Sequence, residues 1–208
     1  MNNRKIFIWR SLFYFLGLWF VALGIVFTIQ AQLGVSPWEV LHVGLSKVTH
    51  LSVGVSSIVV GIVVVCFLLM LDRKQIKWGL LGNLFFIGLF MDLIIKWGLI
   101  PSTDLLIEQW IWLLIGLIVQ VYGLSLYITA NFGAGPRDSL MLALHKKYKL
   151  SIRLIRTIIE ITVLGIGWLL GGPVSVGTLI LALLTGPVLQ YLLGVNRNLL
   201  NRLTLEKK

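Results

Sequence analysis

Hydrophobic side chains fall along this chain in six runs, separated by short polar or basic stretches near residues 10–30, 52–71, 78–97, 110–129, 152–170 and 174–193. Each run is close to the roughly 20 residues that an α-helix needs to cross a bilayer. Two further segments, 37–49 and 136–147, carry a helical pattern but are too short to cross. The pattern therefore predicts an all-α integral membrane protein. Six transmembrane helices are expected, with a short broken or re-entrant helix after the first and fourth spans.

Each short helix opens on the same phrase. Gly34-Val35-Ser36-Pro37-Trp38-Glu39 and Gly133-Ala134-Gly135-Pro136-Arg137-Asp138 both read Gly-x-small-Pro-x-acid, 99 positions apart. The register extends without a gap from Gly24 and Gly123 through Ala31 and Ala130 to Ser52 and Ser151. At a slightly different offset, Gly82-Asn83 in span three matches Gly177-Thr178 in span six. An internal duplication accounts for this, with one repeat at about 10–99 and the other at about 109–195, together forming a single membrane domain. Three spans per repeat is an odd number, so the two copies are expected to sit upside down relative to each other. Such inverted repeats with interrupted helices occur in secondary transporters.

Locally the phrase reads as a helix start. Ser36 or Gly135 takes the N-cap, and Pro37 or Pro136 the first helical position, where a missing N–H costs nothing. Gly34 and Gly133 permit the sharp turn before it. Ser36-x-x-Glu39 has the spacing of a capping box, and Asp138 supplies only the acidic half of one. The phrase is thus either a tight connection closed by its own acid or an anion site at a helix N-terminus.

With 58% hydrophobic residues and 12% charged, and a mean hydropathy of +0.94, the chain is excluded from the soluble globular class. The net charge of +10 does not indicate nucleic acid, because the bases sit in clusters between apolar runs. Sixteen of the 18 Lys and Arg residues fall on one side of a six-span topology, Lys47 and Lys96 being the exceptions. The positive-inside rule then places both termini in the cytoplasm. The basic start with Arg4, Lys5 and Arg10 imitates a leader peptide, but its run is long and has an internal counterpart, so it is expected to stay as span one. Cys66 lies alone in an apolar run and offers neither a disulfide nor a metal-ligand spacing.

The Gly-x-Ser-Pro-Trp-Glu phrase, the Gly82-Asn83 to Gly88-Leu89-Phe90-Met91-Asp92 run and the Gly-x-Gly-Pro-Arg-Asp phrase resemble the YczE-like bacterial integral membrane proteins. Gly177-Thr178 and Gly186-Pro187 are similar to features of the more distant YitT-like proteins. The resemblance covers essentially the whole chain. It implies a multi-pass protein of the bacterial inner membrane in a family without an established activity, and it brings no catalytic residues with it.

Ionisable groups inside spans are costly and mark candidate functional sites. Glu160 lies in span five with Arg156 one turn earlier, as a coupling carboxylate or a structural ion pair. Asp92 lies in span three with Lys96 one turn later. Glu39 and Asp138 are the symmetric acids of the two phrases. Arg137, whose counterpart is Trp38, is either an anion-binding group or an ordinary inside-facing base. The histidines 42, 50 and 145 share no metal-like spacing, so no metal and no cofactor are expected. The function these residues suggest is a small secondary transporter, proton-coupled, for an anionic or zwitterionic small solute. A homodimer is compatible with so few spans. The alternative is a non-transporting accessory or scaffold protein acting through a partner. No Ser/His pair at helical spacing and no His-Glu-x-x-His occurs, so an enzyme is not expected.

Overall fold

The computed structural model of the chain describes residues 3–204, which form eight α-helices and, among the described residues, no strand. They are α1 (Asn3–Gln30), α2 (Pro37–Thr49), α3 (Val53–Leu71), α4 (Trp78–Lys96), α5 (Leu106–Ala130), α6 (Pro136–Tyr148), α7 (Ile152–Leu169) and α8 (Val176–Thr204). Five of them, α1, α3, α4, α5 and α8, are long and apolar enough to cross a membrane. The run expected to be the fifth span, now α7, carries Arg153, Arg156 and Glu160 within its 18 residues, which dilutes its apolar character. The last helix continues well past the expected end at residue 193. Its 29 residues measure about 43 Å, longer than the roughly 30 Å hydrocarbon core.

At the centre α1 and α5 cross in antiparallel fashion. Gly17 lies against Gly123 and Gly24 against Gly116 and Gln120, so positions rise along one helix as they fall along the other. The backbones touch: a Cβ on Gly17 would stand 2.6 Å from the Tyr127 nitrogen, and one on Gly116 would stand 2.9 Å from the Gly24 carbonyl oxygen. Lipid tails offer helices no hydrophobic reason to associate, so such small-residue seams, which bring backbones into van der Waals contact, hold membrane bundles together.

On either side of this pair the packing repeats. Along α1, α4 runs parallel, with Tyr14 donating to the Gly79 carbonyl (2.6 Å) and Phe15 and Trp19 edge-on to Phe86 and Phe90. Along α5, α8 also runs parallel, with Leu181 among Leu113, Leu117 and Val121, and with Asn196 donating to Ser125 further along. The short helices cross over between the halves: α2 packs on α7, and α6 on α3. Backbone details recur in the same register. Left-handed conformations occur at Gln32 and Asn131, at Gly34 and Gly133, and at His50 and Lys149. The hydroxyls of Ser52 and Ser151 cap α3 and α7 by accepting from Val55 and Leu154 N–H (3.1 and 3.2 Å).

Outward faces carry bare apolar side chains, among them Phe67 and Met70 on α3 and Leu179 and Leu183 on α8. In water such a surface would not persist; in a bilayer it is the solvated one. Outside the spans, Lys146 at the end of α6 donates to Asp72 beyond α3 (2.8 Å) and holds that carboxyl below its usual range. This tie is complete above the unperturbed carboxylate pKa and is lost as pH falls through the lowered value.

Replacing Gly123 by Leu forces the α1–α5 seam apart. It is expected to cost about 3 kcal/mol or more, seen as loss of the monodisperse species on size-exclusion chromatography in detergent. Gly165 on α7 has open space around it, and Gly165→Ala is expected to leave that species and its melting temperature unchanged.

Candidate functional site

The two Gly-x-small-Pro-x-acid phrases meet. Left-handed backbone at Gly34 (φ +95°) and Gly133 (φ +134°) turns the chain out of α1 and α5, a conformation that glycine adopts without a Cβ penalty. Ser36 and Gly135 then take the N-cap, and Pro37 and Pro136 the first helical position, as expected. The polar residues of α4 and α8 brace the turns crosswise: Thr178 lies against Gly34 and Asn83 against Gly135.

Arg137 bridges the two helix starts. One of its terminal nitrogens donates to Glu39 Oε1 at 2.7 Å, and its guanidinium carbon sits 4.9 Å above the Trp38 ring. Arg137 thus stacks on its own counterpart in the other phrase while binding the neighbouring acid. Glu39 is only 1% exposed and Arg137 36% exposed. A charge-assisted bond on one side and a cation–π contact on the other fix the guanidinium plane. This corrects the capping-box expectation. The Ser36 side chain makes no cap hydrogen bond, and Glu39 is turned to Arg137. Nor does Asp138 cap α6; it accepts from the Tyr127 hydroxyl at 3.3 Å. A full cation outcompetes a neutral N–H for a carboxylate.

Between these groups lies a cavity of about 180 Å³. That is several times the roughly 30 Å³ share of one liquid water, the size class of a small solute. The first phrase lines it with Ser36, Pro37 and Trp38, and the second with Gly135, Pro136, Arg137 and Asp138. Arg156 and Glu160 enter from α7, joined by the expected one-turn pair, Arg156 Nε to Glu160 Oε1 at 2.8 Å. Glu39 stands behind Arg137, and Gly34 and Gly133 shape the turns without lining the space.

Asp92 is not part of this site, and its expected pairing with Lys96 is replaced by another. Its carboxylate accepts from the Ser52 hydroxyl (2.5 Å) and the Gly54 N–H (2.8 Å). It caps α3 from the far end of α4, because α3 and α4 form a close antiparallel hairpin in which Gly54 and Gly88 touch. Lys47 is likewise structural, donating to the Gly171 carbonyl at the end of α7 (2.8 Å).

Other polar residues of the lining are Asn83, from the Gly82-Asn83 match, and His42, Ser57, Gln120, Tyr127 and Thr185. Asn83 and Gln120 had a signal, each being a polar side chain inside an otherwise apolar run. His42 follows Glu39 by three residues and so shares its helix face. It is buried, and its Nδ1 has no partner; Glu39 Oε2 is also buried without one. Buried polar atoms are nearly always satisfied, so two orphans beside a cavity ask for an explanation. Among the described residues no cluster of His, Cys, Asp and Glu could hold a metal ion.

A helical bundle sheathed in apolar side chains around a charged cavity is a polytopic membrane protein. The chain belongs to a family of unknown function (DUF6198), whose profile matches residues 8–193. It is 36% identical over 193 residues to the uncharacterized membrane protein YczE of Bacillus subtilis (strain 168), covering 92% of this chain and 89% of that one. It is 37% identical over 171 residues to an uncharacterized protein of Haemophilus influenzae, covering 80% and 75% of the two chains. The uncharacterized protein YyaS of Bacillus subtilis is 30% identical over 191 residues, with 89% and 93% covered. No solved structure matches the chain.

The two ends of the central ion pair are not equivalent. Arg137→Gln strands a buried carboxylate and is expected to cost about 3 kcal/mol. Glu39→Gln leaves a guanidinium that reaches the cavity and is expected to cost about 1 kcal/mol. The double variant should recover most of the loss, a positive coupling measured by thermal unfolding of all four proteins in one detergent.

Proposed function

We propose that the protein is a small proton-coupled secondary transporter of a small anionic or zwitterionic solute, built from two inverted three-helix repeats with six spans. The observation that carries this is the meeting of the two interrupted-helix phrases on one charged cavity. Substrate sites of repeat-built transporters lie where such helices face each other.

Several features support the inverted architecture. The left-handed residues, glycine turns and serine caps of the two halves fall in one register. The antiparallel α1–α5 crossing maps onto itself when the halves are exchanged, and the α2–α7 packing maps onto α6–α3. Because α8 runs parallel to α5, the chain must return between them, and α7 is the segment that returns. Its Arg156 and Glu160 then line the bundle interior, where charges in a membrane are tolerated. Both termini lie in the cytoplasm on this topology, in keeping with the clustered bases, and the cell membrane is the site of action.

Transport is tested in proteoliposomes that enclose a pH-sensitive dye. Short monocarboxylates, amino acids and inorganic phosphate are added in turn, with empty liposomes as the control. At least one class is expected to drive proton movement, and Arg137→Gln with Glu39→Gln is expected to abolish it. If no class does so at any imposed gradient, the transporter assignment fails, and a partner-binding membrane protein takes its place.

A further inference from the structure

Behind the cavity wall a carboxylate, Glu39, is already seated on Arg137. Arg137 uses one N–H for Glu39, while a guanidinium carries five. Arg137 lines the cavity, and so does Arg156, of whose guanidinium only Nε is engaged, by Glu160. Arg137 and Arg156 line the same cavity as Asp138, and each has guanidinium N–H groups left over. A planar oxyanion is the ligand that such forks fit best.

We propose that the cavity binds a compact monocarboxylate on Arg137 in place of Glu39, and that Glu39 takes up one proton as it is displaced. Solute anion and proton then enter together, one to one and without net charge.

The charge count requires the proton. Two cations, Arg137 and Arg156, face three acids, Glu39, Asp138 and Glu160, in this region. A further anion would leave two unbalanced charges away from bulk water, an arrangement that costs several kcal/mol per ion. A proton on Glu39 cancels the charge that the anion brings and returns the region to the balance it has without ligand. The place for it exists: Glu39 Oε2 is buried and unpartnered, and the unpartnered Nδ1 of His42 belongs to the same helix face. The titratable groups that line the cavity are His42 on α2, Tyr127 on α5, Arg137 and Asp138 on α6, and Arg156 and Glu160 on α7. From α3 the neutral Ser57 is the polar residue that lines it. The other two acids, Asp138 and Glu160, have partners in Tyr127 and Arg156, which leaves the Glu39–His42 face as the unfilled proton position. A cavity of about 180 Å³ has room for a short solute.

This assignment deepens the transporter proposal and rests on it for its meaning, but it is tested by binding alone. Isothermal titration calorimetry on the purified full chain in detergent would use propionate, with octanoate as a lipid-like carboxylate, alanine as a zwitterion and inorganic phosphate. Propionate is expected to bind about tenfold more tightly for each unit fall in pH, as linkage to one proton demands. Glu39→Gln imitates the displaced, protonated acid. It is expected to bind propionate at neutral pH as tightly as the parent does at low pH, with the slope gone. The double variant Arg137→Gln/Glu39→Gln should bind none, and Arg137→Lys should bind weakly.

A purely structural ion pair gives the opposite result, with Glu39→Gln weakening binding or leaving it unchanged. That result overturns the proposal, as does a pH slope that survives in Glu39→Gln. Binding confined to alanine, phosphate or octanoate overturns the choice of a compact monocarboxylate. Solute-driven flux in proteoliposomes together with Glu39-independent binding sinks this assignment and spares the transporter. Glu39-dependent binding without flux does the reverse.

Discussion

The contact between the α1 and α5 backbones is the constraint on which the rest of the structure depends. A bilayer cannot satisfy polar backbone groups, so a chain that breaks its helices inside a membrane must bury the breaks against itself. Gly17, Gly24, Gly116 and Gly123 let the two long helices approach until their main chains touch. That crossing sets the ends of α1 and α5, and therefore the turns at Gly34 and Gly133 from which α2 and α6 begin. Bulk anywhere on the seam would move the two helix starts apart, and the guanidinium would no longer reach its acid across the gap.

Once the starts are opposed, electrostatics completes the arrangement. The two phrases are alike in backbone but differ where it matters: Trp38 in one position becomes Arg137 in the other. An identical pair would have set two acids and two rings, or two acids and two arginines, across the centre. The mixed pair instead gives one cation stacked on one ring and bonded to one buried acid. The two phrases share a backbone geometry, and the polarity of the site comes from the side chains in which they differ. Of the remaining charged groups of the cavity, Asp138 belongs to α6, and Arg156 and Glu160 belong to α7, whose apolar character they dilute.

Much of this was legible in the residues. Helix boundaries came close because apolar runs and Pro-Gly punctuation report local physics: Pro37 and Pro136 mark the starts of α2 and α6, and α3 ends where Asp72 and Arg73 begin. The Arg156–Glu160 pair was visible as well, since one turn of helix brings those residues together. Long-range choices were not. Glu39 had a local partner at capping-box spacing and took a distant one, because no spacing rule weighs a cation from elsewhere in the chain. Asp92 likewise preferred the hydroxyl and N–H of the adjoining helix start over the lysine one turn away. His42 was set aside with the other histidines because they share no metal-like spacing; only the cavity beside it gives it a role. The extent of α8 was missed because Asn196, Arg197 and Asn198 look like a terminus, whereas in the fold Asn196 is buried on Ser125.

The inverted architecture is what gives the meeting of the phrases its functional sense, and sidedness tests it most directly. Thr49 and Tyr148 occupy matched positions at the ends of α2 and α6, and both are exposed. With Cys66 replaced by serine, single cysteines at these two positions would be labelled by a membrane-impermeant thiol reagent in intact cells and in inverted vesicles. The expected result is that Thr49→Cys reacts only from the outer face and Tyr148→Cys only from the cytoplasmic face. Reaction of both from the same side would contradict the account.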